Sequence, residues 1–180
     1  MTNYSKSSGY LYKFKLNLNN DRLLAKCLSV LNDNNLSKIT NQKGSDNKIE
    51  SFQRTSTYPF RLNLDANPHT WEEFELVVDF LQTISNYNSI RDSWVTNSLP
   101  GGYIGPHSHK SNKLHNIHSV FIYYVNINDT HCPTRFFIDN KWITLNQKQG
   151  DLIYFDNSIL HDTLPNEGIG DRIVISGNII

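Results

Sequence analysis

His107-Ser108-His109 sets two imidazoles two residues apart. Alternate side chains of an extended strand share a face, so both rings can reach one metal ion. A third histidine, His161, follows in Asp156-Asn157-Ser158-Ile159-Leu160-His161, and eleven residues later Arg172 opens Arg172-Ile173-Val174-Ile175-Ser176. Imidazole nitrogen suits iron, copper, nickel and zinc. Two histidines and a carboxylate on one face, with open positions opposite, is the arrangement of non-haem Fe(II) centres. In this chain the acid of a His-x-Asp pair would fall at position 109, where His109 stands. The candidate ligand set is therefore His107, His109 and His161, one negative charge short of that arrangement. Arg172 has its own rationale, because its planar fork matches the far carboxylate of a dicarboxylate ligand. Ser176 lies four residues on, on the same strand face, and the Tyr123 hydroxyl can reach the same carboxylate.

These residues need elements to hold them. Residues 10–16 read as a strand. Asn20 is placed to cap a helix over 21–31, with Leu24, Cys27, Leu28 and Leu31 on one stripe. Residues 32–57 are polar, with Gly44-Ser45-Asp46-Asn47 near the middle, and read either as a lid or as a surface insertion. Thr70-Trp71-Glu72-Glu73 fits a capping box, and Trp71, Phe74, Val77, Val78, Leu81 and Ile84 then recur at helical spacing. After Ser93 the period changes. Residues 93–98 are strand-like and end at a predicted turn, Leu99-Pro100-Gly101-Gly102. Residues 119–127 are apolar on both faces, as a buried central strand should be. Residues 135–138 and 141–145 flank Asp139-Asn140, a hairpin signal, and 152–155, 161–164 and 172–179 complete the set. About seven short strands after two helices predict a small antiparallel barrel or sandwich with helices on one outer face.

The 180 residues form one expected domain, with residues 1–92 as helical and loop support and 93–180 as the strand-rich core. Hydrophobic content of 38% and aromatic content of 12% indicate a globular chain. A formal net charge of zero removes the electrostatic case for nucleic acid or an anionic membrane as main partner. No apolar run is long enough to span a bilayer, and the first residues lack the apolar core of a signal peptide. Cys27 and Cys132 are too few for a disulfide framework, so a reduced cytoplasmic setting is expected.

His107-x-His109, Tyr123-Tyr124, Gly150-Asp151-Leu152-Ile153-Tyr154-Phe155, His161 and the run from Arg172 to Ile179 resemble the 2-oxoglutarate- and Fe(II)-dependent dioxygenases. The likeness extends to a small bacterial and phage branch of that superfamily and covers roughly residues 93 to 180. It implies a mainly β fold of α+β type, a double-stranded β-helix or jelly roll, with two or more N-terminal helices packed on one face. It implies Fe(II) on His107 and His161, Arg172 on the C5 carboxylate of 2-oxoglutarate, and Tyr123 as a helper. Asn97, ten residues before His107, falls where the family often places a polar cosubstrate contact. Val174 stands where many relatives carry serine, which leaves Ser176 as the nearby hydroxyl. The reaction implied consumes O₂, converts 2-oxoglutarate to succinate and CO₂, and hydroxylates a C–H bond of a small molecule or protein.

Two other classes stay open on the residues alone. A cupin with a three-histidine metal site would not use 2-oxoglutarate, and the glutamate expected shortly after its histidine pair is absent here. A jelly-roll binding module without iron is the second. His115 and His118 can replace His109 as ligands, although loop packing explains both. His131 beside Cys132 and His69 before the capping box read as structural, and Asp151 as a turn residue.

Overall fold

A computed structural model describes residues 2–3, 9–42, 50–85, 89–110, 116–127 and 132–180. The predicted hairpin is where the spacing put it. Strands β7 (Thr134–Ile138) and β8 (Lys141–Thr144) are joined through Asp139 and Asn140, both at positive φ (49° and 61°). Such a pair is what a two-residue turn between twisted strands demands. The other strands are β1 (Thr2–Asn3), β2 (Leu11–Lys15), β3 (Lys38–Gln42), β4 (Ser51–Ser56), β5 (Ile90–His107), β6 (Ser119–Asn126), β9 (Asp151–Asp156), β10 (His161–Thr163) and β11 (Arg172–Ile179). The helices are α1 (Asp21–Leu31) and α2 (Glu75–Ile84).

Every strand pairing is antiparallel, in the order β1-β2-β9-β6-β11-β5-β10-β7-β8, with β4 on β5 and β3 on β4. Strand β5 makes the sheet curl. Its first half pairs with β11 from Ile90 to Ser98, and its end pairs with β10 at Ile104 and His107. Between them lies Leu99–Gly102, predicted as a turn. The structure instead carries the strand through it, with Gly101 at φ +77° and no room for a Cβ on Gly102 against the Gln53 carbonyl. The glycines bend the strand rather than end it. One chain segment thus serves both sheets of a jelly roll.

Two cores lie on opposite faces of the larger sheet. The outer one packs α1, α2 and the turn before α2 through Leu23, Cys27, Phe74, Val77 and Leu81 onto Val95, Tyr123, Ile173 and Ile175. The inner one, between the sheets, includes Ile122, Tyr124, Phe155 and Val174 against Phe136 and Ile138. Both cysteines are free and buried.

Three local expectations are corrected. Asn20 makes no cap bond; its amide donates to the Val125 carbonyl (3.2 Å) and its Oδ1 accepts from the Tyr123 hydroxyl (2.6 Å). The capping box at Thr70 does not form either. The Thr70 hydroxyl binds the Leu64 and Asn67 carbonyls, residues 72–74 make a 3₁₀ turn, and α2 starts at Glu75. The polar stretch 32–57 is not one long loop, because it contains β3 and β4, with β4 paired to β5. Its Gly44–Asn47 centre lies outside the described residues.

Candidate active site

Strand β5 ends at His107, and β10 opens with His161 directly opposite it in register. His109 follows two residues later, its amide donating to the Asn157 carbonyl (2.9 Å). Its ring stacks parallel to Trp94 (centroids 6.1 Å, 10° between planes). One nitrogen from each of the three imidazoles lies within 4.8 Å of the others.

The other nitrogens are all engaged. His107 Nδ1 lies 2.9 Å from the Gly105 carbonyl and His161 Nδ1 lies 3.1 Å from the Ile159 carbonyl. A carbonyl only accepts, so in both rings Nδ1 carries the proton and Nε2 presents a lone pair. His109 reaches the same state by a longer route. Its Nδ1 lies 2.6 Å from Asn178 Oδ1, the Asn178 amide donates to Asp92 Oδ1 (2.6 Å), and Arg61 Nε donates to Asp92 Oδ2 (3.3 Å). The carboxylate cannot donate, so it turns the Asn178 amide with its oxygen toward His109. Asp92 thus fixes the His109 tautomer through Asn178, a support of the kind that orients metal-bound imidazoles.

The three rings are held neutral. Burial pushes His107 down to about 3, and the neighbouring His109 adds to the fall. Burial also lowers His109, against the Asn178 bond and the Asp92 charge, which raise it. His161 is driven well below its ordinary value by burial and then by the other two rings. Neutral imidazole is the form that binds metal.

Arg172 lines the same cavity, whose volume is about 460 Å³. Its side chain is buried, donates to the Thr134 hydroxyl (2.7 Å) and lies over the Tyr124 ring (5.3 Å). The Tyr124 hydroxyl donates to the same Thr134 oxygen (2.8 Å). Burial raises Tyr124 to about 12, so it remains a donor, although the Arg172 charge opposes the rise. Arg172 Nε is buried with no hydrogen-bond partner among the described residues. A buried guanidinium in the cavity wall with an orphaned N–H fits a carboxylate, and three clustered imidazole lone pairs fit a divalent first-row metal.

Most of the residues singled out in the sequence meet here, and two do not. His107, His109, His161, Arg172 and Ser176 all line the cavity. Tyr123 is on the opposite face of β6, bound to Asn20 in the outer core, and Tyr124 holds the place beside Arg172. Asn97 is paired laterally with Ile173 of the outer core and does not line the cavity. His69 binds Ser93 (3.0 Å), and Asp151 accepts from the Lys148 amide and pairs with Lys13 (2.8 Å). The His118 amide N–H donates to the Ile179 carbonyl (2.9 Å), while His115 and His131 lie outside the described residues. Tyr124, Thr134, Asp92, Asn178 and Arg54, the last a further residue in the cavity wall, were not among the candidates. For Asp92 and Asn178 the only available signal is their facing register across β5 and β11.

No family model matches the chain, and no curated protein does. Solved structures do. A prolyl-4-hydroxylase from Pseudomonas putida is similar over 94% of this chain and 91% of its own, with a TM-score of 0.68 and 13% identity. A prolyl hydroxylase from Trichoplax adhaerens, solved with a hypoxia inducible factor peptide, is similar over 97% and 84%, with a TM-score of 0.67 and 14% identity. A viral collagen prolyl hydroxylase from Paramecium Bursaria Chlorella virus-1, solved as its 2-oxoglutarate complex, matches over 94% of each chain with a TM-score of 0.56 and 17% identity. The chain has the double-stranded β-helix fold of the 2-oxoglutarate- and Fe(II)-dependent oxygenases.

Proposed function

We propose that the chain is a 2-oxoglutarate- and Fe(II)-dependent oxygenase that hydroxylates a C–H bond. The observation that carries this reading is the pairing, in one cavity, of three neutral imidazoles turned inward with a buried arginine that has an N–H to spare. His107, His109 and His161 would hold Fe(II), with His109 standing where a carboxylate is usual. Arg172 would hold the C5 carboxylate of 2-oxoglutarate, with the Tyr124 and Thr134 hydroxyls beside it. When bound, iron and 2-oxoglutarate together supply the oxidising power drawn from O₂.

The protein supplies position and dryness. The Nδ1 bonds keep each ring in the Nε2-donor tautomer and stop it rotating. The Asp92–Asn178 chain brings part of the missing negative charge to His109 without placing a carboxylate on the metal. Val174, Ile122 and Val120 line the cavity and exclude water, which strengthens the Arg172–carboxylate pair. Ser176 lines the same cavity, four residues along β11 from Arg172, and can donate a hydrogen bond to cosubstrate or substrate.

The absence of a carboxylate among the three clustered groups favours a second reading, a three-histidine metalloenzyme that does not use 2-oxoglutarate. Thermal stability separates the two. A ligand that binds only the folded state stabilises it by about 2.7 kcal/mol at a hundred times its dissociation constant. Metal-free protein is melted with Mn(II), with 2-oxoglutarate, and with both. The oxygenase reading expects 2-oxoglutarate to add stability only when metal is present. It also expects His161→Ala and Arg172→Ala each to abolish that gain. Stabilisation by metal with no further effect of 2-oxoglutarate would select the second reading.

A further inference from the structure

Arg54, Arg61, Arg91 and Arg172 all line the cavity, four of the six arginines in the chain. No lysine among the described residues lines it. Asp92 is the one carboxylate among the described lining residues, and it already accepts from Arg61 and Asn178. Among the described lining residues four guanidiniums stand against one carboxylate, in a chain whose formal net charge is zero. Fe(II) and 2-oxoglutarate carry opposite charges of equal size, so their binding leaves this surplus in place. A cleft of one sign with low-dielectric walls focuses its field on whatever enters.

Two of the four arginines flank one residue of β5. Arg54 on β4 and Arg172 on β11 are both paired in register with Ser98 of β5, from its two sides. Cross-strand partners share a face, so both guanidiniums rise from one row into the cavity. Their mutual repulsion is real: burial and then the Arg172 charge lower Arg54 to about 10. Arg54 lines the same cavity as the three histidines and Arg172. One C5 carboxylate can take one bidentate fork. A second fork of this shape, alongside the first, suits a second planar or tetrahedral oxyanion.

We propose that the substrate oxidised at this site is an anion, carrying a carboxylate or phosphate group that pairs with Arg54 while Arg172 holds the cosubstrate. The inference rests on the oxygenase reading and narrows its substrate class. Arg91, at the same cavity, adds to the attraction without a described ion pair of its own. Tyr58 and Trp94, packed edge to face at 4.9 Å with Arg61 over Tyr58 at 4.1 Å, form an aromatic wall for the body of such a substrate.

The test uses the full chain loaded with Mn(II) and 2-oxoglutarate without oxygen, melted in the presence of three probes. Methyl phosphate and N-acetylglycine carry the two candidate groups, and N-acetylglycinamide is the uncharged control. At least one anion is expected to raise the melting temperature in a saturable way, and the amide is not. Which anion acts decides between phosphate and carboxylate. Arg54→Gln should weaken that anion roughly tenfold or more, as loss of a charged hydrogen-bond partner does, and leave the affinity for 2-oxoglutarate within about twofold. Arg54→Lys, which keeps the charge, should retain part of the effect and controls for misfolding. If neither anion acts, or if Arg54→Gln weakens 2-oxoglutarate instead, the inference is overturned while the oxygenase reading survives. Failure of 2-oxoglutarate to stabilise the wild-type Mn(II) protein would overturn both, and it shows before any probe is added.

Discussion

Strands β5, β6 and β11 each carry two different proteins, one per face. Outward, Val95, Tyr123, Ile173 and Ile175 pack under the helices in a core that is almost entirely apolar. Inward, the same strands present Asp92 and Trp94, Tyr124, and Arg172, Val174, Ser176 and Asn178. The outer face hides surface from water and stabilises the fold. The inner face does the reverse at several points, since it holds His107, His109 and His161 where burial penalises their charged form. The period of two makes this possible: neighbouring residues in sequence never compete for the same job. The difference teaches that stability and ligand binding should be separable by mutation, one residue apart.

The largest effect expected is on the outer face. Phe74 is fully buried and packs on Phe121 (6.2 Å) and Tyr123 (5.7 Å). Phe74→Ala should cost about 3–5 kcal/mol of stability in urea denaturation, with metal binding per folded molecule unchanged. A loss of metal affinity as large as the loss of stability would show that the faces are coupled. On the inner face, Asn178→Ala removes the link between Asp92 and His109. It should lower Mn(II) affinity about 10–100-fold, the usual result of losing such a support, and alter the melting point of the metal-free protein far less. If Mn(II) affinity stays the same, His109 is not held in place by this chain of bonds.

The same division explains what could be read from the sequence. His107, His161 and Arg172 were legible because their residue types are rare and their order is linear. The strand 119–127 is apolar on both faces, so nothing in it says which of Tyr123 and Tyr124 points inward. Asn97, expected at the cosubstrate from the family resemblance, pairs with Ile173 instead and is not among the residues that line the cavity. The bend at Gly101 and Gly102 interrupts the register between β4 and β5. Residues 32–57 looked like a loop because β4 is polar, and β4 is polar because Ser51, Arg54 and Ser56 line the cavity. Asp92 and Asn178 are ordinary residue types 86 positions apart, and only the β5–β11 pairing makes them neighbours.

Acid gives a smaller effect with a definite sign. His161 is lowered well below its ordinary value in the fold, so between its folded-state value and about 6.5 the unfolded chain binds a proton that the folded chain does not. Its contribution is therefore complete above about pH 6.5 and declines as pH falls, by up to about 1.4 kcal/mol per pH unit. The metal-free wild type should lose stability from pH 6.5 to pH 5 more steeply than His161→Leu, by up to that slope. Parallel curves for the two proteins would mean that the ring accepts its proton in the folded state.

The smallest effect is also the sharpest test of the two faces, because it compares adjacent residues with the same change. Tyr123→Phe removes a hydroxyl that donates to Asn20 at 2.6 Å, and Tyr124→Phe removes one that donates to Thr134 at 2.8 Å beside Arg172. Each deletes one oxygen and one buried hydrogen bond, worth about 1 kcal/mol. Tyr123→Phe should spend that on stability, leaving Asn20 Oδ1 without its donor and 2-oxoglutarate affinity unchanged. Tyr124→Phe should weaken 2-oxoglutarate in the Mn(II) protein by about fivefold, since the hydroxyl beside the Arg172 carboxylate site is gone. The Thr134 oxygen keeps its bond from Arg172, so the fold should lose less than in Tyr123→Phe. Equal losses of 2-oxoglutarate affinity in the two variants would remove the distinction between the faces of β6, and with it the assignment of Tyr124 to the cosubstrate.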